Sequence, residues 1–188
     1  MRRFLSFHAV NRGDQSGYDP GLQRHHLLPR QLLTHRALSP MFGQIGDERL
    51  RFEDFRANGL LLPCSERAAI RLGLPLHRGP HRQYTGLVIE RVGQIEAGWV
   101  ALARRDPDGA AQQAGMRIGL LQMALRRYLL ARRPSRPPLN RLDPWDTGAD
   151  FTELDAVAEA LWGATAAVVP AATAQPMPLR ASSSSRAA

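Results

Sequence analysis

Two stretches in the second half of the chain leave little freedom in how it can fold. From Tyr84 onward, Leu87, Val88, Val92, Ile95, Trp99 and Val100 recur at three- and four-residue spacing, the period of one helix face. Asp106-Pro107-Asp108-Gly109 breaks the pattern, and a second stripe runs over about Ala110 to Arg133 with Met116, Leu120, Leu121, Met123, Leu125, Tyr128 and Leu129. Such Met and aromatic stripes are core faces far more often than cofactor boxes. The chain of 188 residues is long enough for one domain with a sizeable core plus appendages, and too short for two comfortable domains.

The first half is built of shorter pieces. Turn signals at Asn11-Arg12-Gly13-Asp14 and Asp19-Pro20-Gly21 lead into Leu22 to Leu28, a short strand that carries His25-His26 and is interrupted by Pro29. On an extended backbone adjacent side chains point to opposite faces, so at most one of these histidines faces the core. For both to act at one site, the strand must end or distort there. Gln31 to Leu38 has the spacing of a short helix ended by Ser39-Pro40, with His35 on its surface, and Leu50 to Phe55 reads as an edge strand. Asn58-Gly59 is a turn opening an apolar strand that Pro63 cuts off, which makes a turn former the plainest reading of Asn58. Ser65 caps a helix that Gly73 stops. Gly79 and Pro80 suit the cap and first position of the next helix, which puts His77 in the preceding loop and His81 in the first turn, with Tyr84 on the same face as His81.

All 25 basic residues are arginines, against 17 acids, for a formal charge of +8. The guanidinium keeps its charge and matches phosphate geometry, so the balance points to an anionic partner, nucleic acid first. The charge is uneven: residues 1–135 hold 21 Arg and 11 acids, for +10, whereas residues 136–188 come to −2. Cys64 is the single cysteine, which excludes an intrachain disulfide and a cysteine-based zinc knuckle. Any metal must therefore use His, Asn or carboxylate. No apolar run approaches the ~18 residues of a membrane span, and the expectation is a soluble cytoplasmic protein, with export by a signal-independent route open to it. Residues 134–163 read as a Pro-rich linker and an acidic segment with a helix over Phe151 to Leu161, and residues 164–188 as a disordered Ala, Ser and Pro tail.

His25-His26, Asn58 and the His77/His81 pair thus bring His, Asn and His on strand, strand and helix. With Arg-His-His-Leu-Leu-Pro at 24–29, Asn-Gly-Leu-Leu-Leu-Pro at 58–63 and Gly-Leu-Pro-Leu-His-Arg-Gly-Pro-His-Arg-Gln-Tyr at 73–84, the chain resembles the HNH/endonuclease VII superfamily of ββα-metal nucleases. The branch it resembles most is the one with an Ala-His-His motif, the AHH nucleases. The resemblance covers roughly residues 18–95, and Arg24 stands where the family has a small residue.

That resemblance implies an α+β fold with a ββα-metal nuclease core, and the two helical stripes and the linker that follows them set the expected nuclease domain at 1–133, with additional C-terminal helices. It implies a metal-dependent endonuclease acting on nucleic acid, DNA before RNA, of a kind that often serves as a bacterial toxin paired with an immunity protein. His26 would be the general base and His25 and His81 metal ligands, with His77 completing coordination. Asn58 would bind metal or hold the histidine loop by hydrogen bonds, and Arg78 and Arg82 would contact phosphate. The cofactor would be one divalent ion, Mg, Mn, Zn or Ni. Histidine suits the task, since its ordinary pKa near ~6.5 makes it a base at neutral pH. The rival expectation is a basic, non-catalytic nucleic-acid-binding module whose histidines hold a structural metal.

Overall fold

The computed structural model describes residues 3–131, the short strand at 139–140 and residues 156 and 160, the last two helical. A 3-10 turn at Phe7–Ala9 is capped by Ser6, whose hydroxyl accepts from the His8 amide. Strand β1 (Leu22–His26) follows, its entry pinned by Asn11, which sits at φ 49° and bonds Asp19 and Leu22 through its amide. After a 3-10 helix at Arg30–Thr34 come three short helices, α1 (Ser39–Ile45), α2 (Asp47–Leu50) and the single turn α3 (Phe55–Asn58). Strand β2 (Gly59–Pro63) then runs antiparallel to β1, pairing Leu22 with Pro63 and His26 with Gly59. Helix α4 (Glu66–Leu72) leads to the two-residue strand β3 (His77–Arg78), which pairs in parallel with β4 (Leu139–Asn140). Between those two strands lie the long helices α5 (Arg82–Ala103) and α6 (Pro107–Leu130).

The two helical stripes behave as their spacing requires. Val88, Val92 and Ile95 of α5 and Ile118, Leu121 and Leu125 of α6 join Leu27, Leu28, Leu32, Met41 and Leu62 in one buried cluster. Helix α5 packs along α6, and α1, α2 and α3 also lie against α6. The β1–β2 pair therefore stands on a helical platform. Mixed helix with a small antiparallel sheet agrees with the α+β expectation. Among the described residues no helix is long and apolar enough to cross a membrane.

Several local expectations are corrected. Ser39-Pro40 starts α1 instead of ending a helix, because proline fits the first turn of a helix, where no amide donor is needed. The segment before it holds only one 3-10 helix. Leu50 to Phe55 is not a strand: Leu50 ends α2, Arg51 turns the chain in the left-handed region at φ 52°, and Asp54 makes an isolated bridge to Ser6 before capping α3. The charged residues that looked like one face of an edge strand are cap and turn residues. Asn58 closes α3 instead of forming a two-residue turn. Helix α5 begins at Arg82 with His81 as its N-cap, two residues later than the Gly79-Pro80 signal indicated, and His77 lies in β3, not in a loop. Helix α6 begins earlier than its stripe, at Pro107, because Asp106 caps it by accepting from Gly109 N at 2.9 Å. The linker, the acidic helix and the tail lie outside the described residues, apart from positions 139–140, 156 and 160.

Candidate active site

His25 occupies the inward-facing position of β1 beside Leu60, and only 2 % of it is exposed. Its Nδ1 lies 3.0 Å from Nε2 of the buried His77. His81, half-buried at the head of α5, closes the group, with its ring centre 5.0 Å from that of His25 and 5.2 Å from that of His77. One ring nitrogen from each of the three lies within 4.8 Å of the others. Gln23, two residues before His25 and so on the same strand face, contacts His77 Nδ1 and donates to its carbonyl at 2.6 Å. Tyr84, one turn into α5 and fully buried, places its ring edge-on to His25 and His81 and donates its hydroxyl to Leu27 O at 2.7 Å. Burial, aided by Tyr128, pushes the phenol pKa upward, so it stays a donor.

Burial also sets the charge state of the cluster. It holds His25 well below its ordinary pKa, with a further push from the neighbouring His77, His81 and His26. His77 is lowered to about 4, by burial first and then by His81. At neutral pH these two rings carry lone pairs, not positive charge, which is the form that binds metal. His25 Nε2 and His26 Nε2 are both buried with no hydrogen-bond partner among the described residues, an arrangement that costs free energy unless something else meets the atoms.

His26 faces the other way, as strand geometry requires. Its ring stacks on Phe7 at 3.8 Å and 7°, and Phe7 is braced edge-on by Phe55 at 5.1 Å. Its pKa is lowered, by burial first, with Glu53 opposing and Arg30 assisting. Because β1 ends at His26 and the chain turns at Pro29, both histidines nevertheless border one cleft. That cleft, about 340 Å³, is also lined by His77, His81, Arg24, Arg30 and Gln31. A larger hollow of about 930 Å³ between Phe4, Leu33 and Phe52 contains no histidine.

The remaining expected residues lie outside the cleft lining. Asn58 is fully buried, and its amide is committed to backbone: Oδ1 accepts from Leu28 N at 2.7 Å, and Nδ2 donates to Leu28 O at 3.2 Å and Phe52 O at 3.1 Å. Of the two roles the resemblance allows it, this geometry is that of the loop clamp. Arg78 donates to Cys64 O at 3.1 Å and approaches Glu66, and Arg82 is exposed on the first turn of α5. Sequence reasoning missed Phe7, Gln23, Arg24 and Arg30. Gln23 had a signal in its i, i+2 relation to His25. The Phe7 contact spans 19 positions, and no spacing announces it.

The class is settled by comparison with known families. A nuclease family of the HNH/endonuclease VII superfamily with a conserved AHH motif matches residues 6–118, more than half of the chain and all four site histidines. The chain belongs to this AHH nuclease family. No curated protein and no solved structure matches it.

Proposed function

We propose that the protein is a metal-dependent endonuclease that hydrolyses phosphodiester bonds, with DNA as the preferred substrate. The observation that carries this reading is the convergence of His25, His77 and His81 on one side of a cleft that His26 borders from the other. In this reading β1, β2 and α5 form the ββα-metal core, and the nuclease domain spans residues 1–133.

The three histidines fit a divalent ion. Their ligand atoms are close enough to share one, burial keeps His25 and His77 uncharged, and the buried His25 Nε2 has no hydrogen-bond partner among the described residues, which leaves it open to a ligand. An all-nitrogen set suits Zn, Ni or Mn better than Mg. When bound, such an ion supplies positive charge to polarise the phosphate. Three protein ligands among the described residues, at an open cleft, are the count of a catalytic site and not of a closed structural one, which favours the enzyme over a non-catalytic binding module.

The chain's own groups do the rest. His26, its pKa lowered, is neutral at pH 7 and can take a proton from an attacking water. Phe7 fixes the plane of that ring, so the base meets the cleft in one orientation. Arg24 and Arg30 border the cleft and would balance phosphate charge there, while Arg78 and Arg82, outside the lining but next to His77 and His81 in sequence, would contact flanking phosphates. The family resemblance permits a toxin role, with an immunity protein as partner, without showing it.

Plasmid nicking by the purified protein tests the proposal. Cleavage should vanish in excess chelator and return with added divalent metal. Undiminished cleavage in chelator would remove the metal from the mechanism.

A further inference from the structure

Helix α6 continues past the end of the family match at residue 118 and sends two polar side chains back toward the site. Gln122 and Arg126 are four residues apart and so share a helix face. Gln122 is only 6 % exposed, within an otherwise apolar stripe. A buried amide there is costly unless it is bonded, and its Nε2 reaches Leu50 O at 3.4 Å and Asn58 Oδ1 at 3.5 Å. The half-buried Arg126 donates through Nη2 to Arg56 O at 3.0 Å and Ala57 O at 3.4 Å.

Those carbonyls belong to a helix with little means of satisfying itself. The single turn α3 leaves its last C=O groups without intrahelical donors. Phe55 O takes the Gly59 amide and Asn58 O takes the Leu27 amide at 2.8 Å, which leaves Arg56 O and Ala57 O for the Arg126 guanidinium. A cation at a helix C-terminus is favourable by charge as well. Asn58, the last residue of α3, then clamps Leu28 at both N–H and C=O, two residues beyond His26. A contiguous set of bonds thus runs from α6 through α3 to the segment bearing the histidine pair.

We infer that Gln122 and Arg126 are positioning residues for the nuclease site: they hold α3, and through the Asn58 clamp they hold His25 and His26 in register with the His77/His81 side. The inference rests on the nuclease reading for its effect on rate, and on geometry alone for its effect on the clamp. Neither residue touches the cleft.

The test uses the full chain with Arg126→Met, which keeps the aliphatic stem and loses the donors, with Arg126→Lys, which restores one charged donor, and with Gln122→Met. Two quantities are read: kcat and KM for nicking of a DNA duplex, and hydrogen exchange at the Leu28 amide, with the Val88 and Val92 amides of α5 as reference. In Arg126→Met, Leu28 protection should fall about tenfold, the size of one lost charge-assisted bond, and in Gln122→Met about threefold, the size of a weak neutral bond, while Val88 and Val92 stay protected. In the same variants kcat should fall by matching factors with KM within about twofold, and Arg126→Lys should recover most of the protection and the rate lost in Arg126→Met. Unchanged Leu28 protection overturns the inference, as does parallel loss at Val88 and Val92, which would mean stability alone. A raised KM at constant kcat would also overturn it, by making Arg126 a substrate contact. If the parental protein fails to nick DNA, the nuclease reading falls while Leu28 exchange still decides the clamp.

Discussion

His25 and His26 are adjacent in sequence but have separate surroundings, and the separation decides their chemistry. His25 is buried among imidazoles, and His26 is stacked on a phenyl ring at the mouth of a cleft. Alternation along a strand made that divergence legible in advance, and Pro29 marked where the strand ends. What remained hidden was each ring's neighbour, since Phe7 and His77 reach the pair across 19 and 52 positions. The charge states have a measurable consequence. The lowered folded-state pKa values of His25 and His77 mean that the unfolded chain binds protons first as pH falls below its ordinary histidine value, ~6.5. Stability of the metal-free protein is therefore greatest above that value and declines as pH drops toward the His77 pKa of about 4. Melting temperatures of metal-free protein should fall steadily across this window, and His77→Gln should flatten the decline. A melting temperature that rises on acidification would contradict the assigned direction.

At the level of elements, β1, β2 and the long helices were readable because each declares itself locally, by apolar content cut by proline or by a stripe of period 3.6. Helix α4 was readable as well, from its Ser65 cap and Gly73 stop, whereas the other short elements were not. Helix α3 exists because Asp54 caps it and because Asn58 ties it to Leu28, and a single turn has no periodicity to detect. Asn58 looked like half of an Asn-Gly turn, although Gly59 is glycine for another reason: a β-carbon there would run into the Phe55 ring. Replacing Asn58 by Ala leaves Leu28 N, Leu28 O and Phe52 O without their side-chain partner in the core. The expected cost is about 2–4 kcal/mol, read as a shift in the denaturation midpoint, together with reduced metal affinity as the histidine segment loosens. A variant as stable as the parent, with parental metal affinity, would show that the clamp is incidental.

Across the whole molecule, the long helices and the small sheet share one buried cluster, the sheet ends at His25 and His26, and residues 1–135 carry the excess of arginine. If the basic region binds nucleic acid, affinity must depend on counterion release. Log affinity for a DNA duplex should fall with log salt at a slope of about −3 or steeper, the value for three or more neutralised phosphates, and a flat profile would mean that the +10 region is not the contact surface. In the proposed mechanism one histidine moves the proton while three others hold the metal. It is tested by measuring bound metal, melting temperature and nicking rate together for His26→Ala, His25→Ala and His81→Ala. Loss of the base alone should leave His26→Ala folded and metal-bound with cleavage lower by about two to four orders of magnitude, whereas His25→Ala and His81→Ala should lose cleavage and metal affinity together. A His26→Ala protein that has lost its metal, or that cuts at the parental rate, would contradict the account.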